Sequence, residues 1–531
     1  MALSSVIHDF RSSLSISYTS CAITALGVWI LGLATLAVYR LYFSPLSKFP
    51  GPKLAALSKW YEAYYELVCN GKFSREIDRM HDIYGPIVRV TPNELHIKDS
   101  QFFDTFYSYP KIQKYGWDAK LGNENAIFTT IHSAVHRRRR GALNPMFSRR
   151  AVFNLVPVIR EKLELLCKRI DEYEEGHKPV NFTRAYSAMT GDVIMEYFFG
   201  FTYKHVEAPE FLSFHEAYMG FALSGHIATQ FPWYIPSANK QSAHELYPRL
   251  NNHDPGPRVA SLIRLKKDQW DLVGRSIAGE TTNESSRHTI IDQMLQSDLS
   301  PADKSQQHLT DQAQALIAAG IETNSNALSV GTFHIVNTPR ISTRLHQELL
   351  QAFPSNDRFI PDLLALEKLP YLKACILESF RLSYGIAARN PRVYGDKELR
   401  YKEWTIPAGT SVGMTVFDVC HDEAIFPDSH SYIPERWLGN PKTADGESLE
   451  HYLVTFGRGP RSCIGVKWLI MDGGSVAWAE VYMTLGTLFR WYKFDLYETD
   501  VTDVRYEHDW LMPIPRLDSQ GLRLSITKVE N

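Results

Sequence analysis

The stretch Phe456-Gly457-Arg458-Gly459-Pro460-Arg461-Ser462-Cys463-Ile464-Gly465 constrains this chain more than any other. It sets one cysteine among glycines, arginines and an aromatic ring at fixed offsets, which suits a thiolate that meets a flat macrocycle. A deprotonated sulfur is a metal ligand, and below a haem iron it pushes electron density toward O–O cleavage. Gly459 and Gly465 let the backbone turn tightly and come close. Arg461 is placed to meet an anionic rim, and Phe456 to keep water from the sulfur and so tune its potential. A cysteine that merely fills a core acts as a small hydrophobe and needs none of these neighbours.

Around that loop lies a chain of 531 residues, 44% of them hydrophobic, with a formal net charge of −2. That is enough apolar material for a large core, and it lacks the basic footprint of a nucleic-acid binder. At roughly 150 residues per domain the length suggests three or four domains, with large single domains as the known exception. Cys21, Cys69, Cys167, Cys375, Cys420 and Cys463 follow no framework spacing, which predicts reduced thiols in a cytosol-facing protein.

The amino terminus is of another kind. No charged residue occurs from Ser12 to Tyr39, and Cys21–Tyr39 is almost wholly apolar, close to the roughly 20 residues that a bilayer-spanning helix needs. Arg40, Lys48, Lys53 and Lys59 follow the span, whereas only Asp9 and Arg11 precede it, so the bias of positive charge places the body on the cytosolic side. Phe49-Pro50-Gly51-Pro52 cannot continue a helix and reads as a stiff hinge. We expect a retained anchor over residues 1–48 and a body over 49–531.

Within the body, a helical stretch covers Lys53–His81, and Ile87–Val90 with Glu94–Ile97 predict a hairpin around Thr91-Pro92-Asn93. Helical periodicity then dominates from Phe147 to about Gln351, interrupted at Phe231–Pro236 and Gly279–Arg287. Thr310-Asp311 can cap a helix that meets no proline before Pro339. Midway along it stands Ala319-Gly320-Ile321-Glu322-Thr323: small residues that allow close approach, then a carboxylic acid and an alcohol, the pair needed to relay protons. Glu378 and Arg381 lie i, i+3 on one helix face. Arg436 follows in Pro434-Glu435-Arg436-Trp437, and His136 opens the basic run His136-Arg137-Arg138-Arg139-Arg140.

Taken together, these segments resemble the cytochrome P450 superfamily. Phe456–Gly465 reads as its F-x-x-G-x-R-x-C-x-G loop, Ala319–Thr323 as A-G-x-[DE]-T, and Glu378 to Arg381 as E-x-x-R. Pro434–Trp437 reads as P-E-R-F with Trp437 for Phe, and His136 to Arg140 as W-x-x-x-R with His136 for Trp. The resemblance implies a mainly α, minor β single-domain P450 fold behind an N-terminal transmembrane helix. It makes Cys463 the ligand of a haem b iron and Glu322 and Thr323 the proton-delivering pair. Phe456, Gly459, Arg461 and Gly465 then surround the cofactor. Propionate contacts fall to His136, Arg140 and Arg392, in preference to Arg389, and Glu378–Arg381–Arg436 form a structural triad.

The segments Pro45–Pro52 and His136–Asn144 resemble fungal enzymes of secondary metabolism, similar to the trichodiene-oxygenase type. That likeness implies a membrane-bound monooxygenase that hydroxylates or epoxidises a hydrophobic, terpenoid or polyketide-derived metabolite. NADPH-cytochrome P450 reductase, with cytochrome b5 as a further donor, would supply electrons, and the site would be the endoplasmic reticulum membrane with the catalytic domain in the cytosol. Substrate contacts are implied at Gln113–Ile127, Ala315–Thr323, Ile386–Arg389 and Trp510–Pro513. The remaining arginines of the basic run, with Lys467, would form part of a basic face for the electron donor. A haem-thiolate isomerase or dehydratase, and a non-enzymatic haem sensor, stay open as alternatives. One departure stands out: Trp468–Ser475 interrupts the helix expected after Gly465, as a looped-out insertion or a gene-model error that could impair activity.

Overall fold

The run Gln306–Asn337, with no proline in it, forms one α-helix of 32 residues, about 48 Å long at 1.5 Å per residue. It starts earlier than Thr310-Asp311. Ser305 is its N-cap, the hydroxyl accepting from the His308 amide at 3.4 Å. Asp311 instead lies within the first turns and accepts from the backbone and side-chain amides of Asn125 at 3.2 and 2.8 Å. Its carboxylate therefore ties the helix to the preceding loop rather than starting it. At the other end Pro339 opens the next helix, Pro339–Ala352, where a missing N–H is no loss. The computed structural model describes residues 2–116, 123–231, 257–280, 288–355, 357–466 and 475–529.

Three helices embrace the long one. Phe182–Phe199, capped by Asn181 and closed by left-handed Gly200, is buried along most of its length. Pro370–Ser383 and Val476–Trp491 complete the bundle and are likewise almost entirely buried. Gly320, expected to make room for a cofactor, serves this packing: a Cβ there would stand 2.8 Å from the Ile194 side chain. Its missing side chain lets two helices cross. One apolar cluster runs from Leu46 to Leu524.

The β portion is small. Ile87–Thr91 and Glu94–Ile97 form the expected antiparallel hairpin, with Ile87 opposite Ile97. Ser411–Gly413 adds in parallel, then Arg392–Val393 and Gln113–Lys114, giving a five-stranded sheet. Its outer register sets Arg392 opposite Lys114, so the sheet itself places two cations side by side. The predicted helix over Lys53–His81 is broken into Lys53–Leu57, Trp60–Ala63, a π-turn Tyr64–Val68 and Phe73–Tyr84.

Ala2–Val38 is a single helix. Its segment Tyr18–Phe43 has a mean hydropathy of 2.2 and no part buried in the protein, which makes it long and apolar enough to cross a bilayer. The proline-rich segment after it is no free hinge. Phe49 stacks on Trp404 at 5.0 Å between ring centroids, and the Pro50 carbonyl accepts from the Arg89 amide at 2.7 Å. Gly51 passes so close to the hairpin that a Cβ would meet the Arg89 carbonyl oxygen at 2.5 Å. All six cysteines are free thiols.

Several expectations fall outside the described residues: Pro232–Pro236, Lys467, positions 117–122 of the Gln113–Ile127 stretch, and the insertion except for Ser475. The ends of the insertion are well defined. Val466 and Ser475 meet in an antiparallel bridge, the Ser475 hydroxyl donates to the Gly465 carbonyl, and the following helix begins at Val476.

Candidate active site

The cysteine loop is held from both sides. Gly457 and Gly459 adopt φ of +70° and +67°, and a Cβ on Gly459 would lie 2.3 Å from the Tyr107 carbonyl oxygen, so only glycine fits there. The Cys463 amide donates to the Phe456 carbonyl at 2.8 Å, while the Phe456 ring meets Phe380 edge-on at 5.0 Å. The Cys463 side chain is accessible although protein surrounds it. Burial raises its thiol pKa. The amides of Gly465 and Val466 and the charge of Arg140 work in the opposite direction, and all three favour a thiolate.

Beside the loop, cations gather without counter-charge. Arg140 donates to the Ser462 carbonyl at 2.5 Å and Arg461 to the Thr130 and Ile131 carbonyls at 2.6 Å each. Arg392 reaches the Asn390 and Pro391 carbonyls at 3.3 and 3.1 Å, and its buried Nε has no partner. Carbonyls satisfy donors but do not neutralise charge. Burial, together with Arg392 and Arg140, pushes Arg461 down to about 9, and burial pushes Arg392 to about 10. Burial and then Arg461, Arg140, Lys114 and Arg392 force His136 to about 2, so its ring is neutral. Among the described residues no carboxylate pairs with Arg140, Arg392 or Arg461. A donor set this positive, with an orphaned N–H, fits a group with an anionic rim, as haem propionates are. Arg389 does not belong to it: it is bound to Glu62 and, at 2.8 Å, to Glu94.

On the long helix, Ala319 is exposed and Ala315, Ala318, Gly320, Glu322, Thr323 and Asn326 are half-buried. The recurrence of Ala315, Ala319, Thr323 and Asn326 at four and three residues marks one accessible face. The Thr323 hydroxyl donates to the Ala319 carbonyl at 2.7 Å. Glu322 leaves the helix on the adjoining flank and accepts from Nδ1 of His215 at 3.1 and 3.3 Å.

A buried-cation site, a glycine-shaped cysteine loop and an acid–alcohol helix are thus combined in one chain. The sequence profile of the Cytochrome P450 family matches residues 67–518. The chain belongs to that family. It is 40% identical over 515 residues to the cytochrome P450 monooxygenase sdnE of Sordaria araneosa, covering 94% of this chain and 97% of the relative. It is 36% identical over 509 residues to tryptophan 6-hydroxylase fscE of Fusarium equiseti, covering 94% and 96%. With N-acetyltryptophan 6-hydroxylase ivoC of Emericella nidulans it shares 35% over 505 residues, 93% and 94% of the two chains. The protein is a P450 monooxygenase of the fungal secondary-metabolism kind, and the family is one of haem-iron enzymes.

The structural triad of this P450 is assembled, with Glu378 and Arg381 fully buried and Arg436 half-buried. Arg381 grips Glu378 with two bonds at 2.7 and 2.9 Å, and Arg436 adds one at 3.1 Å. Burial raises the Glu378 carboxyl, the Arg381 charge lowers it, and the net shift is downward. Trp437 is more than a substitute for Phe, since its indole N–H donates to Glu378 at 2.8 Å.

Other partners were not visible in the sequence. Asp303 accepts from Arg138 at 2.8 Å and Arg139 at 3.0 Å, so one buried carboxylate partly neutralises the expected basic face, in which Arg138 is still 53% exposed. Asn324 donates to Glu480 of the Val476–Trp491 helix, and burial lifts that carboxyl to about 8. His215 lies 107 residues before its partner. No local spacing could have announced any of these pairs.

Proposed function

We propose that this P450 hydroxylates or epoxidises a hydrophobic secondary metabolite, terpenoid or polyketide-derived, with electrons passed from NADPH by a membrane-bound cytochrome P450 reductase and cytochrome b5. Residues 1–48 anchor it in the endoplasmic reticulum membrane, and residues 49–531 face the cytosol as one catalytic domain. The observation that carries the reading is the uncompensated cluster of Arg140, Arg392 and Arg461 beside the accessible Cys463 thiol.

Haem b held by Cys463 supplies oxygen activation. The chain does the rest. Arg140, Arg392 and Arg461 with neutral His136 bind the anionic rim and fix its orientation. Phe456, seated on Phe380, closes one approach to the sulfur. Thr323 holds a proton at Oγ1, and Glu322 replenishes it. Ala315 and Ala319 leave an apolar face for substrate, and exposed Arg137 and Arg138 remain from the basic run for the electron donor.

The test is co-expression of the full-length chain with reductase in microsomes. Product formation that requires both NADPH and dioxygen is expected. Terpenoid and polyketide candidates should be tried beside tryptophan and N-acetyltryptophan, because two relatives carry those substrates in their names. Turnover of a substrate without either co-substrate would replace the proposal by an isomerase or dehydratase.

A further inference from the structure

We propose that His215 is the solvent-side group of the proton path: it takes a proton from water and hands it to the Glu322 carboxylate. The inference rests on reading Glu322 and Thr323 as the acid–alcohol pair. His215 is the first residue of the helix His215–Gln230. Its Nδ1 faces both oxygens of Glu322 at 3.1 and 3.3 Å. That contact assigns the proton to Nδ1 and leaves Nε2 to exchange with water. The transfer balances: Nε2 of the neutral, Nδ1-protonated ring takes a proton from solvent, the N–H bond at Nδ1 of the resulting imidazolium breaks as an O–H bond forms on Glu322, and the ring is left neutral with its proton on Nε2, which exchange through solvent returns to Nδ1.

His215 is the more accessible member of the pair. The His215 side chain is 22% exposed and that of Glu322 14%. Outside them Arg184, from the Phe182–Phe199 helix, pairs with Glu210 at 3.4 Å, and these are 38% and 77% exposed. Glu322 and Thr323 are neighbours on one helix, about 100° apart around its axis, so one flank faces this outer group while the next faces the interior. Rotation of the Glu322 side chain is enough to carry a proton from one to the other.

The charges around the imidazole are mixed. Glu322 on the long helix and Glu216 on its own helix favour the charged ring, and Arg184 opposes it. Its position at a helix N-terminus opposes it too. Tyr218, on the next turn, is the other titratable group under the influence of Glu322. Burial lowers the His215 pKa, Glu322 more than offsets this, and the net direction is upward. The ring therefore stays charged above its usual range and loses its proton as pH rises through the raised value.

Full-length holoenzyme with reductase, prepared as wild type, His215→Asn, His215→Phe, Glu322→Gln and Thr323→Ala, tests this. The fraction of NADPH electrons that ends as hydrogen peroxide, not product, should climb with pH in the wild type. Both His215 variants should raise that fraction and flatten its pH profile, with coupled turnover reduced about 10- to 100-fold, toward the low end of what a positioned proton donor contributes. A second readout needs no turnover: the unfolding-midpoint difference between wild type and His215→Phe. A charged pair contributes fully below the unfolded histidine pKa of about 6.5, so the difference should shrink as pH rises through the folded value. A pH-independent offset with unchanged peroxide would overturn the proposal. If Glu322→Gln is also silent, the acid–alcohol reading falls with it; if Glu322→Gln acts and the His215 variants do not, His215 alone is wrong.

Discussion

Glu378→Gln is the sharpest test of how this P450 holds its core. Glu378 and Arg381 are both 0% exposed. The carboxylate accepts from Arg381 Nε and Nη2, Arg436 Nε, Trp437 Nε1 and the Ile433 amide, all between 2.7 and 3.1 Å. The amide keeps one acceptor and removes the charge. Arg381 then retains the carbonyls of Cys420, Ser429 and Ser431 but no counter-ion. Breaking a buried pair in this way costs about 3–5 kcal/mol, a large share of the ~5–15 kcal/mol that typically separates folded from unfolded. It corresponds to about a hundred- to several-thousandfold in the folding constant, at ~1.4 kcal/mol per factor of ten. Urea unfolding of full-length protein in detergent, followed by haem absorbance and far-ultraviolet dichroism, reads the loss. The folded pKa of Glu378 is depressed, so its contribution is present above the usual carboxylate range and disappears as pH falls through the folded value; the two proteins should converge in acid. The double change Glu378→Met with Arg381→Met should recover part of the loss, because the fully buried guanidinium is removed with the carboxylate and only Arg436, nearer the surface, loses its counter-ion. A single variant within about 0.5 kcal/mol of wild type, the range of an ordinary surface substitution, would refute the reasoning. So would a double variant as weak as the sum of both.

Trp437→Phe removes the indole donor to Glu378 together with the volume of one fused ring, and should cost at least about 1.5–3 kcal/mol in the same urea assay, the value of a hydrogen bond to a charged group. Gly459→Ala forces a methyl against the Tyr107 carbonyl in a left-handed turn; the yield of haem-bearing protein should collapse while the apoprotein still accumulates. Arg392→Met relieves repulsion among Arg140, Arg392 and Arg461, so the apoprotein should unfold no earlier than wild type. Transfer of haem to a scavenging apoprotein should nonetheless speed up about 10- to 100-fold, as expected for one charge-assisted contact of ~1.5–3 kcal/mol.

What the sequence disclosed follows the range of the forces involved. The Cys463 loop and the Ala319–Thr323 segment are local, since their chemistry needs side chains at fixed offsets on one turn or one helix face. Glu378 with Arg381 is local as well, and Arg436 joins through a motif with its own proline. The partners that decide charge are remote. Glu62 and Glu94 claim Arg389, Asp303 claims Arg138 and Arg139, and His215 claims Glu322. An ion pair constrains only the space between two groups, so it leaves no period in the chain. Helix ends were misjudged for a related reason: the Ser305 cap outcompetes Thr310-Asp311 because Asp311 is taken by Asn125. Gly320 was assigned to the cofactor when a crossing helix required it, and both needs select the same residue.

The interruption after Cys463 can now be judged by where it leaves and rejoins the fold. The amides directed at the sulfur belong to Gly465 and Val466, ahead of residue 467, and the bridge from Val466 to Ser475 closes the excursion at its base. The Val476–Trp491 helix therefore starts directly beside Val466. Its facing is fixed independently by Glu480, which meets Asn324, the residue after Thr323. With its pKa raised by burial to about 8, that carboxyl is mostly protonated near neutral pH, so it bridges the two helices without burying an unpaired charge. With Val466 bridged to Ser475 and the elements on either side independently anchored, the expected outcome is that deletion of residues 468–475 leaves the haem-thiolate absorbance of the protein unchanged; a shifted or lost band would show that the segment positions the thiolate.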